Sequence, residues 1–293
     1  MSTILTLHDP QIARRYHAEG HWRDETLYTM LRAHAQSRPE AYALRDSRLR
    51  LTWRALARWV DVIAADLAAA GVKRGQRVSV WLPNCAEVIA VLLACSRNGY
   101  VCNPSLHQNY TVANIVELVE RIQSAALFAQ RGHGSDAGRS DVFGAVGALA
   151  CMKRVYAVER SGAAPPGATA CPAPGSDATT EPPPVDENPD KIVYLAFTSG
   201  TTGTPKGVLH SDNTLLANGR AMVRDWHHDE HTVLYSHSPL SHHIATVALE
   251  QSLAAGFELV VNDLRDGAKP LDWILETGAT YVMGVPTHAI DIL

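Results

Sequence analysis

The sequence predicts an α/β protein whose mostly parallel sheets are covered by helices, and three observations carry that prediction. Short apolar runs of strand length alternate with helical apolar stripes along most of the 293 residues. Several runs, such as Val78 to Leu82 with its single Ser79 and Ile192 to Phe197, are almost wholly apolar, as strands buried on both faces are. Gly, Asn and Pro stand where the helices should begin or end. Composition agrees, because 46% hydrophobic and 19% charged residues are globular values and the length suffices for a sizeable core in one large or two ordinary domains.

The elements follow in order. Trp53 to Ala70 carries a stripe through Leu56, Val60, Ile63 and Leu67 and is stopped by Gly71. Val78 to Leu82 is a buried strand. Asn84 then reads as a helix cap with Glu87 three residues on, and the helix to Arg97 is apolar on nearly every face, which predicts burial. Val112, Ile115, Val116, Val119 and Ile122 mark another helix before a strand at Ala125 to Ala129. After the strand Ile192 to Phe197 come a helix around Asn213 to Trp226, a strand at Thr232 to Ser236, a helix around Ile244 to Ala255 and a strand at Glu258 to Val261. Pro270 and Gly278 bracket a further helix, and Thr280 to Met283 is a strand.

Two segments break this rhythm. Arg131 to Ser140 is rich in Gly and charge, and Ser161 to Asp190 is dense in Pro, Ala, Gly, Thr and acids. The second reads as a linker, with residues 1–184 as a first α/β subdomain and 185–293 as a second. It is expected to separate a first sheet from the one whose opening strand carries the loop that follows.

That loop holds the chemistry. Thr198-Ser199-Gly200-Thr201-Thr202-Gly203-Thr204-Pro205-Lys206 places two glycines and five hydroxyl side chains between a buried strand and a lysine. Glycines let backbone N–H groups approach phosphate oxygens, hydroxyls donate further hydrogen bonds, and an ammonium neutralises charge, so the composition suits a polyphosphate. The Walker pattern does not fit. Counting from Gly200, Pro205 stands at the second glycine and Gly207 where the magnesium-holding Ser or Thr should be. A plain solvent-exposed loop would share the Ser/Thr/Gly content, but not the strand-to-lysine placement.

Other features exclude function classes. A net charge of −4 with dispersed basic residues gives no footprint for nucleic acid. No run of 18 apolar residues suggests a membrane span, and Met1 to Gly20 lacks the apolar centre of a secretory leader, so a cytoplasmic protein is expected. Cys85, Cys95, Cys102, Cys151 and Cys171 form no C-x-x-C pair and are expected to be free thiols. Among the fourteen histidines, His228-Asp229-Glu230-His231 has the wrong spacing for a zinc helix and reads as a polar turn with His227; no metal site is expected.

At FTSGTTGTPKGV the chain resembles the adenylate-forming superfamily: AMP-dependent acyl- and aryl-CoA synthetases, luciferases and the adenylation domains of peptide synthetases. Similarity continues in the family's order through Leu51 to Leu56, Gly75 to Val78, Leu82-Pro83-Asn84, Ala94 to Pro104, Ser238 to His243 and Gly284 to Thr287. The whole looks most like the cyclohexanecarboxylate-CoA ligase type, a likeness to which Asn103 to His107 and His21-Trp22-Arg23 contribute.

The resemblance implies two packed, mostly parallel sheets, the amino-terminal domain of that fold. It also implies ATP-dependent activation of a carboxylic acid, with magnesium and CoA. The carboxylate would attack the α-phosphorus, pyrophosphate would leave, and a thiol would capture the acyl-adenylate. Thr198, Ser199, Gly200, Thr201, Thr202, Gly203 and Lys206 would hold the phosphates, with Lys206 and Thr198 acting in catalysis. His242, or His243 if the register slips by one, would line the acid pocket. The family's adenine, ribose, hinge and carboxy-terminal lysine motifs do not occur in the chain. It is therefore expected to be a front portion incomplete at its carboxy end, with little activity alone and some tendency to self-associate through uncovered surfaces. Two alternatives stay open: an adenylation domain that loads a carrier protein, and a non-catalytic nucleotide-binding remnant.

Overall fold

The computed structural model describes residues 9–136, 138–159, 162–198, 205–264 and 268–292. It opens on two helices that the apolar patterning did not mark. Helix α1 (Pro10–Ala18) starts because the Asp9 carboxylate accepts from the Gln11 amide at 2.8 Å and Pro10 occupies the first turn. Helix α2 (Leu27–Ser37) starts at a reciprocal Thr26/Thr29 capping box. Strands β1 (Tyr42–Arg45) and β2 (Arg50–Thr52) form a hairpin leading into α3 (Trp53–Ala69), capped by Thr52.

Then come β3 (Arg77–Trp81), α4 (Ala86–Asn98), β4 (Val101–Asn103), α5 (Val112–Arg121) and β5 (Ser124–Ala129). Every residue of β3, α4 and β5 is buried, as their mostly apolar character predicts, and the burial takes in Arg77, Glu87 and Arg97. A short α6 (Val142–Gly147) precedes β6 (Arg154–Ala157) and the two-residue β7 (Thr169–Ala170). The second half holds β8 (Ile192–Thr198), β9 (Lys206–Ser211), α7 (Asp212–Trp226), β10 (Val233–Ser236), α8 (His243–Ala255), β11 (Glu258–Val261), α9 (Pro270–Thr277), β12 (Tyr281–Met283) and α10 (Pro286–Ile292).

Among the described residues these strands make two sheets. One has seven strands in the order β7-β6-β5-β3-β4-β8-β9, parallel except for β9. The other has five in the order β12-β10-β11-β1-β2, parallel except for β2. The largest apolar cluster joins the inner faces of both sheets through α3, α4 and α8. A second cluster lies under α5 and α6 on the outside of the seven-stranded sheet, and a third under α9 on the outside of the other. Each fully buried Leu, Val or Ile in these layers contributes roughly 1.5–3 kcal/mol.

Two expectations are corrected, and one strand without an expectation appears between them. The Pro-rich segment 161–190 does not separate the sheets, since β8 pairs with β4 in the sheet already begun; Cys102 lies opposite Tyr194. The five-stranded sheet instead draws β1 and β2 from the front of the chain and β10 to β12 from its end. The stretch between the phosphate loop and the helix at 212 is a strand, β9, on the sheet edge. Its first half is exposed, which explains why it carries no apolar signal.

Second, Asn84 does not cap α4. The cap position is Cys85, which makes no side-chain capping bond, and the Ala86 amide donates to the distant Asp46 carboxylate at 3.0 Å. Glu87, expected to complete the box, receives both contacts of the Arg48 guanidinium at 2.8 and 3.0 Å. A buried carboxylate brought in from the β1–β2 turn does the capping, and Asn84 is released for another task.

Helices α7 and α8 touch at Gly219, where a Cβ would fall 2.6 Å from the Glu250 backbone. Glu250 is fully buried there, and neither carboxyl oxygen has a hydrogen-bond partner among the described residues. Burial pushes its carboxyl well above the usual range, and the Asn218 amide offsets only part of this. The folded state therefore holds a proton that the unfolded chain releases above about pH 4.3. This contribution to stability is complete below that pH and is lost as pH rises toward the folded-state value. Glu250→Gln should remove the dependence: denaturant midpoints at pH 5, 7 and 9 should fall in the parent and flatten in the variant. Parallel slopes would show that Glu250 is ionised in the fold.

Candidate active site

The segment expected to grip phosphates is built on a hairpin. Strand β8 enters beside β4, and β9 returns antiparallel so that Thr198 lies directly opposite Lys206. Both residues are exposed at the end of the hairpin where the two strands connect. Ser199, Gly200, Thr201, Thr202 and Gly203 lie outside the described residues. The Arg121 guanidinium at the end of α5 donates to the Pro205 carbonyl at 3.0 Å, next to Lys206. Downstream, β9 runs straight into α7, whose first turn is capped by Ser211 and Thr214 in a reciprocal box.

The segment expected to line the acid pocket leads from β10 into α8. His242 is the cap residue of α8 without making a side-chain capping bond, so its ring is left for other contacts. It stacks on His107, 4.4 Å between centroids and 20° between planes. His243 faces the other way and stacks on His210 of β9 at 4.7 Å and 9°, beside Tyr194 of β8. Two adjacent histidines thus reach in opposite directions, one to the loop that follows β4 and one to β9. His107 also sets its Nδ1 3.0 Å from the Ser241 hydroxyl.

Three of these imidazoles, those of His107, His210 and His243, are held uncharged near neutral pH. Burial lowers His107, with His242 adding to the effect, and burial lowers His243. His210 is brought down to about 4 by burial and by His243. The wall they form offers neutral hydrogen-bonding edges and flat rings to a ligand, not positive charge.

Asn84 holds this wall in place. Its amide nitrogen donates to the carbonyls of Asn262 at 2.7 Å and Ser238 at 3.3 Å, and its oxygen accepts from the Leu240 amide at 2.7 Å. One side chain at the exit of β3 therefore binds the exits of β10 and β11 on the opposite sheet. Beside it lies a cavity of about 220 Å³ lined by Asn84, Gln108, His133, Ser241, Asn262 and Asp263. Open parallel sheets present ligands at the carboxyl ends of their strands, where all these exits converge.

The turn histidines are elsewhere. His227 ends α7 in the left-handed conformation (φ 56°), His231 is exposed, and His228 packs edge-on against Tyr281. The five cysteines are unpaired. Among the described residues no three metal-ligating side chains cluster, and no helix is long and apolar enough to cross a membrane.

Sequence reasoning missed Ser105, His210 and the true role of Asn84. His107 stood in a segment noticed only for its likeness to relatives. For Ser105 the available signal was a hydroxyl two residues past a buried parallel strand, since such positions face the crevice.

The family profile described as AMP-binding enzyme matches residues 31–293. Enterobactin synthase component E of Escherichia coli strain K12 is 28% identical over 245 residues, 84% of this chain and 44% of that protein. Sulfoacetate–CoA ligase of Cupriavidus necator is 32% identical over 203 residues, 69% of this chain and 38% of that protein. The apo structure of Mycobacterium smegmatis MbtA superposes with a TM-score of 0.76 at 24% identity, over 98% of this chain and 53% of that one. The chain spans about half the length of the curated relatives it matches, 44% and 50% in two of them.

Proposed function

The chain belongs to the AMP-binding enzyme family, and from that premise we propose that it carries the nucleotide-gripping and acid-facing part of an acid–thiol ligase. The reaction is attack of a carboxylate oxygen on the α-phosphorus of ATP. The bond to the bridging oxygen breaks, pyrophosphate leaves with the electron pair, and the acyl-adenylate is passed to the thiol of CoA with release of AMP. The observation that carries this reading is the β8–β9 hairpin, which sets Thr198 against an exposed Lys206 at the mouth of a buried strand.

In this reading Lys206 and Thr198 act on the phosphates together with Ser199, Gly200, Thr201, Thr202 and Gly203. Catalysis of such a transfer is mainly positioning and charge stabilisation. Magnesium enters with ATP on the phosphates. His242, or His243 if the register slips by one, faces the acid. Flat aromatic rings favour an aromatic, alicyclic or medium-length acid over a small dianion. A cytoplasmic setting fits the need for ATP and CoA.

A second acceptor is favoured by one observation: Enterobactin synthase component E and Pyochelin synthase PchD match alongside proteins named CoA ligases. A carrier-bound thiol is the competing acceptor. Calorimetric titration of the chain with MgATP tests the common part, and binding at micromolar to millimolar concentration is expected. Absence of binding would remove the nucleotide reading altogether. Acid-dependent exchange of labelled pyrophosphate into ATP then separates an active ligase portion from a module that only binds.

A further inference from the structure

Strand β4 ends at Asn103 because Pro104 has no N–H to continue a ladder with β8. Cys102 opposite Tyr194 is the registered pair between these two strands. Three residues further along β8, Phe197 would then lack a partner on its β4 side. The hydroxyl of Ser105 fills that place. The Phe197 amide donates to Ser105 Oγ at 3.0 Å, and Ser105 Oγ–H donates back to the Phe197 carbonyl at 3.2 Å. Ser105 is 1% exposed, so water cannot substitute for it.

Phe197 immediately precedes Thr198, the residue facing Lys206. Two residues beyond Ser105, His107 stacks on His242, meets Ser241 and accepts the Trp81 indole N–H on its carbonyl at 3.1 Å. One short segment therefore touches both the strand that delivers the phosphate loop and the wall that faces the acid.

We infer that Ser105 is a positioning residue for nucleotide binding: its hydroxyl replaces the ladder bonds that Pro104 cannot make and fixes the height at which Thr198 enters the phosphate site. The inference rests on the nucleotide reading proposed above. The role needs a group that donates and accepts at once, which Ser or Thr supplies, Ala lacks and Cys supplies only weakly.

The test combines MgATP calorimetry with amide exchange by NMR on the full chain. Ser105→Ala should weaken MgATP roughly tenfold, the equivalent of one or two ordinary hydrogen bonds. It should speed exchange of the Phe197 amide while leaving the amides of β3 and β5 protected. Ser105→Thr should retain MgATP affinity. Should Ser105→Ala fail to fold, Ser105→Cys preserves the volume and is expected to show the same selective loss. A Ser105 variant that frees the Phe197 amide yet binds MgATP as tightly as the parent would overturn the inference. Failure of the parent itself to bind MgATP would instead strike the nucleotide reading on which it rests.

Discussion

Lys206→Ala is expected to weaken MgATP binding about 30- to 100-fold, the loss corresponding to a charge-assisted contact of roughly 2–3 kcal/mol. The expectation follows from how little else the side chain does. Lys206 is exposed at the first position of β9 and makes no ion pair with any described residue. Its removal should leave the melting temperature close to that of the parent, so an affinity change would report ligand contact and not damage to the fold. Lys206→Arg keeps the charge but replaces a compact ammonium with a longer planar fork, and should fall between the two. Titration of all three proteins with MgATP and with pyrophosphate decides the matter. Equal affinities would place the phosphates away from the hairpin mouth.

The proposed grip could be picked out because its residues are local. A buried strand, glycines, hydroxyls and a lysine stand within fifteen consecutive residues, Tyr194 to Val208, and no tertiary information is needed to see that a strand end presents them. The acid-facing wall was legible only in part. His242 and His243 could be picked out, but their opposite orientations arise from packing between His107 on one side and His210 on the other. Those partners lie 135 and 33 residues away, at 107 against 242 and 210 against 243.

For the fold, period and capping located the central strands and helices to within a residue or two, because burial on both faces leaves a nearly unbroken apolar run. Other strands escaped. Strands β9 and β2 lie at sheet edges, which need only one apolar face and often keep charge on the other, and β1, though paired on both sides, has only four residues. Asn84 shows the deeper limit. Asn followed three residues later by Glu is a sound helix-start pattern, yet Asp46 reached α4 first in space and Asn84 found three backbone groups on the other sheet. Local preference proposes a partner, and tertiary geometry chooses among those within reach.

Asp212→Ala should be the most destabilising single change among those considered, at about 3–5 kcal/mol, because it leaves a buried ammonium without its counter-charge. Asp212 opens α7 and is wholly buried. Its carboxylate accepts from Lys191 Nζ at 2.6 Å, Ser96 Oγ at 2.7 Å and the Leu27 amide at 2.8 Å. Burial pushes the carboxyl up, and Lys191, Ser96 and Leu27 pull it back. The three donors belong to the approach to β8, to α4 and to α2, so one side chain ties three elements to the point where β9 becomes α7. A charge this deep adds little net stability as a pair, and the penalty arises from breaking it on one side only. Asp212→Leu combined with Lys191→Met should therefore recover much of what Asp212→Ala loses, and urea denaturation of the three proteins would show it. A loss below about 1 kcal/mol for Asp212→Ala would mean that Lys191 finds water or another acceptor. Because β9 ends one residue before Asp212, the single variant should also bind MgATP less well than Lys206 chemistry alone explains. The double variant, with its helix start repacked, should regain that affinity together with its stability.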